Sequence, residues 1–309
     1  MYPMKFIPIY KERIWGGDNL GKMFARELPS QQIGESWELS SHINGASIVA
    51  NGNLAGKTLQ ELMAEYKERL MGKKFANEKN FPLLIKIIDA NDKLSIQVHP
   101  EDEYAYRVEG ESGKTEAWYV IDAKENGKII YGLRKEVTKE EFIKAVEGNR
   151  IGDAVNIVPV KAGDMMLVPA GMVHALLDGV MVYEIQQNSD TTYRVYDYDR
   201  VDDDGKGREL HIKKAIEVIN FTEQPSCNFD HRSIQCQYFS MDKLRIHGMK
   251  NEKTEDCFII YCVTAGVGNI RYKEFVESLR MGDTILIPAC LGEFSIEGNM
   301  ELLKITQGI

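Results

Sequence analysis

The sequence predicts a mainly β protein, built as a β-sandwich or β-barrel with a few helices. Most apolar residues occur in short segments separated by Gly, Pro, Asn or Asp, as is typical of strands joined by turns. In addition, a Gly-Asp pair followed after four further residues by Pro occurs twice, at 163–169 and 282–288. This repeat predicts two related β units, the second of them near the C-terminus.

Three segments carry helix signals. A capping box at Thr58–Glu61 begins an amphipathic helix that is followed by Gly72, and one at Thr138–Glu141 begins a second helix that stops near Gly148. A third amphipathic stretch predicts a helix at 212–219.

The other strongly apolar segments predict strands, and the acidic residues after Pro100 predict a short helical turn. The predicted strands are 82–89, 94–99, 116–122, 128–131, 165–169, 181–187, 192–198, 257–264, 283–288 and 301–306.

The composition excludes some classes of function. The chain of 309 residues has 38 basic and 47 acidic side chains and a net charge of −9, whereas a general nucleic-acid or membrane-surface binder needs a basic surface. A few local Lys or Arg residues could still hold a small anionic substrate.

The location is predicted to be cytoplasmic. No apolar run approaches the ~20 residues of a membrane span, and the N-terminal segment lacks the features of a secretion signal. The five cysteines form no CxxC pair, which predicts buried, reduced thiols.

The length allows about two domains of ordinary size. We place the boundary so that residues 1–228 form a domain with N-terminal strands and short helical insertions, and 229–309 a smaller β domain. The first copy of the repeat leads to His174, whereas the second leads to Gly292 without a histidine. Any metal is therefore expected in the first domain only.

Polar residues alternate with apolar ones at 94–99, so that Ser95, Gln97 and His99 share one face of a predicted strand. Gln97 and His99 are spaced to reach a common metal ion, although such a face can also simply meet solvent. His174 follows the turn after Pro169 and would begin another strand.

Glu116 lies in a strand-like segment, on the same face as Lys114 and Trp118. A glutamate buried in a strand is costly unless it is paired or bound to a metal. The alternative to a metal is a salt bridge with a neighbouring Lys or Arg. Together with Gln97, His99 and His174, Glu116 would form a mixed N/O ligand set that suits Zn²⁺, and also Fe, Mn or Ni.

The motifs that contain these residues resemble the cupin barrel. The full set of motifs resembles the type I mannose-6-phosphate isomerases of the short, bacterial kind. The resemblance covers most of residues 1–220, and residues 230–309 match more loosely as a cupin-like unit without ligands. The similar segments are RIWGG at 13–17, GESWELS at 34–40, LLIKIIDA at 83–90, LSIQVHPED at 94–102, GKTEAW at 113–118 and QNSDTTYRVYDYDR at 187–200.

The resemblance implies a cupin-type β-barrel (jelly roll) as the catalytic unit and a second, ligand-less cupin-like β unit. It also implies a zinc enzyme, with one ion per chain, that interconverts mannose 6-phosphate and fructose 6-phosphate. The implied zinc ligands are Gln97, His99, Glu116 and His174. The family's catalytic positions are occupied in this sequence by Lys114, Asp190 and Arg194.

An aldose-ketose isomerisation moves a carbon-bound proton through an enediol. Lys114 and Asp190 are both candidates for the base. Arg194, whose charge is fixed, would stabilise the enediolate or bind the phosphate, unless it forms an internal salt bridge with Asp190 or Asp197.

Substrate contacts are expected from Ser95, Trp15 and Trp118. The substrate is the only expected partner; neither nucleic acid nor membrane is expected, and the oligomeric state is left open. Two other functions fit the same residues: an iron-dependent cupin dioxygenase, and a sugar-phosphate-binding cupin without activity.

Overall fold

The computed structural model describes residues 1–201, 204–223 and 226–308, and residue 309, the end of the predicted second domain, lies outside them. The structure confirms a mainly β fold with few helices. The strands are β1 (Met4–Ile7), β2 (Ile9–Gly17), β3 (Ile33–Leu39), β4 (Ser41–His42), β5 (Gly45–Ala46), β6 (Ile48–Val49), β7 (Leu83–Ala90), β8 (Ile96–Val98), β9 (Glu116–Ala123), β10 (Lys128–Leu133), β11 (Val155–Pro159), β12 (Met165–Val168), β13 (His174–Leu176), β14 (Val180–Gln187), β15 (Tyr193–Tyr196), β16 (Ser233–Gln235), β17 (Phe239–Lys253), β18 (Ile259–Tyr272), β19 (Phe275–Arg280), β20 (Thr284–Ile287) and β21 (Glu293–Gln307). The helices are α1 (Asn19–Phe24), α2 (Leu59–Tyr66), α3 (Glu68–Met71), α4 (Asp102–Val108), α5 (Lys139–Glu147) and α6 (Ile212–Val218).

The chain divides into two compact units. The terminal unit comprises residues 1–9, 36–86 and 232–309, and the central unit comprises 10–35 and 87–231. These units differ in membership from the predicted domains 1–228 and 229–309. The physical reason is strand pairing: β1 pairs with both β20 and β6, so the N-terminal strand is part of the C-terminal sheet.

The central unit is built on two open sheets. One has the order β11-β10-β13-β8-β15, and the other, which lies mainly in this unit, has the order β12-β9-β14-β7-β3-β2. Apolar side chains from both, among them Trp118, Met166 and Leu176, form one buried cluster, so the sheets pack face to face as in a jelly roll. The other face of the five-stranded sheet is covered by α5 and α6 through Phe142 and Ala215.

The terminal unit contains an eight-stranded antiparallel sheet. Its order is β16-β17-β21-β18-β20-β1-β6, with β19 paired to β18. The long strands β17 and β21 pair along their whole length, and apolar residues of β18, β20 and β21 form its core.

The sequence repeat is a structural repeat. Gly163 and Gly282 both have positive φ, +90° and +89°, which glycine adopts at little cost. In the first copy the Gly163 N–H donates to the Val120 carbonyl (2.8 Å), and in the second the Gly282 N–H donates to the Val263 carbonyl (2.9 Å). The same turn therefore precedes β12 and β20.

The two copies differ at the predicted ligand position. Val168, just before the first repeat proline, lies opposite Glu116, and the matching Ile287 lies opposite Ile259. An apolar side chain thus stands in the terminal unit where the central unit has a carboxylate.

The helix predictions hold with three corrections. Both capping boxes are present, at the starts of α2 and α5. The single helix predicted from the Thr58 cap to a point before Gly72 is wrong, because Lys67, with φ of +39°, separates α2 from α3. The turn predicted after Pro100 is the longer α4, and the short α1, whose N-cap residue Asp18 makes no side-chain capping bond, was not predicted.

All five cysteines are free thiols, but the prediction that they are buried is wrong for most of them. Only Cys262 is buried, while Cys227 and Cys290 are exposed. Within the described part of the chain, no helix is long and apolar enough to cross a membrane.

Candidate metal centre

Strand pairing in the central unit gathers the predicted ligands of the five-stranded sheet on one face. Gln97 in β8 lies directly opposite His174 in β13, and on its other side opposite Arg194 in β15. Residues opposite each other in antiparallel strands point to the same face of the sheet. His99 follows β8 two residues after Gln97 and so shares that face.

The facing sheet contributes Glu116 from the first position of β9. Glu116 is fully buried, and His99 and His174 are each only 1% exposed. One carboxylate oxygen lies 3.5 Å from His99 Nε2 and the other 3.3 Å from His174 Nε2. These three side chains form a group that could hold a metal ion, with the ligand atoms all within 4.8 Å of one another.

Hydrogen bonds fix both imidazole rings. His99 Nδ1 donates to the Thr191 carbonyl and His174 Nδ1 to the Met172 carbonyl, each at 2.9 Å. Because a carbonyl oxygen can only accept, Nδ1 carries the proton in both rings. Burial lowers the pKa of His174 to about 4, so this ring is neutral at pH 7 and its Nε2 presents a lone pair.

The donor set fits a divalent cation. The Nε2 lone pair of His174 faces a carboxylate oxygen of Glu116 in a buried site, an arrangement that a cation between them would stabilise. Histidine ligands of metals usually donate their second ring N–H to a carbonyl or carboxylate, as both do here. The salt-bridge alternative for Glu116 is also present, because Lys114 Nζ lies 3.0 Å from Glu116 Oε2.

Lys114 is almost fully buried beside this group. Its ammonium lies 3.1 Å from His99 Nε2 as well as beside Glu116. Burial by itself lowers the pKa of Lys114, but the charges of Glu116, Glu184 and Asp190 outweigh it and raise the pKa above its usual value. The site thus holds a charged lysine against a carboxylate.

Gln97, the fourth predicted ligand, lies next to the group. Its Nε2 is 3.4 Å from His174 Nε2, and its Oε1 accepts a hydrogen bond from Ser95 Oγ at 3.4 Å. A half-turn of the amide exchanges these two atoms. The role of Gln97 as a ligand stays a prediction.

The predicted substrate contacts lie in different surroundings. Trp118 packs edge-on against the His174 ring, with centroids 5.5 Å apart, and its indole N–H donates to Glu184 at 3.0 Å. Ser95 is buried beside Gln97. Trp15 is a member of the core cluster between the sheets.

Asp190 and Arg194 belong to the segment that also orients His99. The Asp190 N–H donates to Glu111, and the carboxylate charge of Asp190 acts on Lys114. Arg194 does not form the internal salt bridge considered from the sequence. In the described ranges, Asp197 pairs instead with Arg200 and Arg208.

Two acidic residues of this region were missed in the sequence. Glu184, only 3% exposed, lies opposite Trp118 in β14 and could have been found by the rule that singled out Glu116, a charged residue within an apolar strand. Glu111 lies in a loop after α4, where no sequence signal marks it.

Glu111 holds the segment that orients His99. Its Oε2 accepts hydrogen bonds from Ser189 Oγ (3.2 Å), the Asp190 N–H (3.3 Å) and Thr191 Oγ1 (3.2 Å). Since the Thr191 carbonyl accepts the His99 Nδ1 proton, Glu111 positions a candidate ligand through one intervening residue.

Glu111→Gln is therefore expected to weaken metal binding. Loss of an outer contact of this kind raises metal dissociation constants by about 10- to 100-fold, because the ligand ring is held less firmly. Competition with a chromophoric chelator measures the change. Glu103→Gln, on the exposed side of α4, is the matched control, and equal affinities in Glu111→Gln and the unchanged protein would contradict the role.

Comparison with known families identifies two matching regions. Residues 4–131 match the model of the phosphomannose isomerase type I catalytic domain, and residues 231–307 match that of the mannose-6-phosphate isomerase cupin domain.

The similarity to known proteins extends over nearly the whole chain. Mannose-6-phosphate isomerase ManA of Bacillus subtilis is 44% identical over 97% of this chain and 98% of its own length. Mannose-6-phosphate isomerase of Streptococcus mutans is 40% identical over 94% of each chain.

A solved structure shares this fold. The crystal structure of mannose 6-phosphate isomerase from Bacillus subtilis has a TM-score of 0.91 at 38% identity, over 99% of both chains. A structure described as a putative mannosephosphate isomerase from Archaeoglobus fulgidus, at 24% identity and a TM-score of 0.82, supports the fold alone.

Proposed function

The chain belongs to the type I phosphomannose isomerase family, and on this premise we propose that it interconverts mannose 6-phosphate and fructose 6-phosphate with one bound zinc ion. The zinc would be held by His99, Glu116, His174 and Gln97. The observation that carries the proposal is the convergence of two imidazole Nε2 atoms on one buried carboxylate. This mixed N/O donor set suits Zn²⁺.

The reaction removes a proton from one carbon and returns it to its neighbour, with no net oxidation. When bound, a divalent cation supplies positive charge that stabilises the oxyanion of the enediol. Burial of the surrounding side chains keeps the local dielectric constant low, and this strengthens every charge interaction there.

Lys114 is our first candidate for the residue that moves the proton. Its Nζ is buried within contact distance of Glu116 and His99, and the charge of Glu116 is one cause of its raised pKa. Where a bound cation would offset the charge of Glu116, the burial of Lys114 would favour the neutral amine that a base requires. Asp190 is the second candidate.

The remaining residues would bind and orient the sugar. Ser95 offers a hydroxyl next to Gln97, and Trp118 offers a rigid wall against His174. Trp15 would support this wall from the core. Arg194 would stabilise the enediolate or bind the phosphate. The assignment of the chemistry to residues 1–228, without a part for 229–309, belongs to the same proposal.

Removal of the metal tests the proposal. Chelation is expected to lower the conversion of mannose 6-phosphate to fructose 6-phosphate by at least about 100-fold, because loss of an oxyanion-stabilising group costs this much or more. Added Zn²⁺ should restore the activity. A coupled assay on fresh, chelated and zinc-reloaded protein, together with metal analysis, measures both quantities.

Two other results would overturn the proposal. Iron in the purified protein together with oxygen consumption would indicate a cupin dioxygenase. Binding of the sugar phosphate without turnover, in protein that contains zinc, would indicate a binding protein. Thermal unfolding of the chelated sample serves as the control that the fold survives metal removal.

A further inference from the structure

Lys114 lies just before the strand that carries Glu116. The segment 111–115 precedes β9, whose pairing with β12 and β14 starts at Glu116. A lysine side chain is a long, flexible stem, so the place that its ammonium can occupy depends on where its backbone is fixed. Contacts other than the strand pairing of β9 must therefore fix the backbone at Lys114.

Two polar side chains bind the backbone on either side of Lys114. The Gly113 N–H donates to Asp102 Oδ1 at 2.8 Å, and the Thr115 N–H donates to Gln187 Oε1 at 2.9 Å. The N–H of Lys114 itself donates to a backbone carbonyl at 3.0 Å. Three successive N–H groups are thus bound, two of them by side chains that come from α4 and from the end of β14.

These two side chains also bind each other. Gln187 Nε2 donates to Asp102 Oδ1 at 3.0 Å, and Gln187 is only 5% exposed. Because the Thr115 N–H can only donate, the oxygen of the Gln187 amide must face it and the nitrogen must face Asp102. The bonds among Gly113, Asp102, Gln187 and Thr115 therefore close a hydrogen-bond ring around the backbone of Lys114.

The other end of the lysine side chain lies in the candidate metal centre. Its Nζ is 3.0 Å from Glu116 Oε2 and 3.1 Å from His99 Nε2. A shift of the backbone would move this ammonium away from both groups, and a misplacement of about 1 Å at a reacting group can cost about 100-fold in rate. The hydrogen-bond ring thus acts on the ammonium through the backbone.

We propose that Gln187, held by Asp102, is a positioning residue that keeps Lys114 beside the candidate metal ligands. A neutral amide suits this place because it presents an acceptor to the Thr115 N–H and a donor to the Asp102 carboxylate at the same time. A glutamate would bring a second carboxylate against Asp102, and an apolar side chain would bind neither partner. The inference deepens the proposed isomerase function and rests on it for the reaction in which Lys114 takes part.

Gln187→Met tests the role, because it replaces the amide by an apolar side chain of similar length. We expect kcat for mannose 6-phosphate to fall about 10- to 100-fold, since Lys114 is no longer held in place. KM and zinc content should stay unchanged, since the proposed sugar contacts and metal ligands are intact. Gln235→Met, an exposed change at the end of β16, is the matched control. An unchanged kcat in Gln187→Met, or a rise in KM alone, would overturn the proposal.

Variants of Asp102 test the other half of the ring. Asp102→Asn keeps an oxygen that can accept from both N–H groups, and should lose clearly less activity than Asp102→Leu. The double variant that combines Asp102→Leu with Gln187→Met should lose less than the product of the two separate losses, because both changes open the same ring. Losses that multiply fully would show two independent effects and overturn the ring.

Amide hydrogen exchange separates this role from the isomerase function and from a merely structural role. In Gln187→Met, exchange at residues 113–115 should become about 10-fold faster, while the rest of the central unit exchanges as before. Unchanged exchange at 113–115, or faster exchange throughout the central unit, would overturn the proposal. The measurement needs no turnover, so local acceleration would establish the ring even in a protein without isomerase activity.

Discussion

His174→Ala is expected to remove both the bound metal and the isomerase activity. The change deletes one of the two imidazoles proposed as ligands, whose Nε2 atoms converge on Glu116, and leaves the buried carboxylate with Lys114 at 3.0 Å and His99 at 3.5 Å. We expect metal content to fall from about one ion per chain to near zero at micromolar zinc. We expect kcat/KM to fall by at least about 1,000-fold, since the oxyanion loses its main stabilising charge.

Metal analysis after dialysis and the coupled assay measure these two effects. His247→Ala is the matched control, because His247 is exposed on β17 in the terminal unit. His174→Gln keeps a polar side chain at the same position, so that loss of metal can be told from loss of packing. Full metal content in His174→Ala would show that the ligand set is wrong.

Lys114→Met is expected to slow proton transfer strongly while metal binding persists. Loss of a positioned acid or base lowers kcat by about 10²- to 10⁴-fold. Exchange of the carbon-bound substrate hydrogen with solvent deuterium should fall in parallel, because the same proton is involved. Nuclear magnetic resonance of the sugar phosphates in D₂O measures the exchange, and Lys128→Met, an exposed change at the start of β10, is the control.

The same variant has a consequence for stability. Lys114 Nζ contacts Glu116 at 3.0 Å in a fully buried position. Breaking a buried ion pair by removing one partner costs about 3–5 kcal/mol of the free energy of unfolding. The metal-free variant should therefore unfold at a lower temperature, and zinc should recover most of the difference. If Lys114→Met keeps normal exchange and Asp190→Asn loses it, Asp190 is the base.

Local patterns in the chain were enough for much of the fold. The alternation of polar and apolar residues at 94–99 predicted that Gln97 and His99 share one face of a strand. The two capping boxes predicted where α2 and α5 begin. These features depend on neighbours in the sequence, which set the backbone conformation directly. The resemblance to the family supplied the order of the predicted ligands along the chain.

The pairing of strands that are far apart in the chain could not be predicted from the sequence. The pairing of β1 with β20 changed the membership of the two units, because antiparallel partners can be far apart in the chain. The long strand β17 was missed because exposed, charged residues interrupt its apolar pattern. The break at Lys67 depends on a single positive φ that no motif predicted.

The sequence by itself determined which side chains could bind a metal, because residue type and strand alternation fix the available donors and the face each one occupies. Only the tertiary structure decided how those donors are oriented and what surrounds them. The imidazole protons are fixed by the carbonyls of Thr191 and Met172, and Glu111 and Asp197 hold their partners through contacts between separate loops and strands. Such contacts depend on which backbone segments meet in space, and the local conformation of each segment does not specify that.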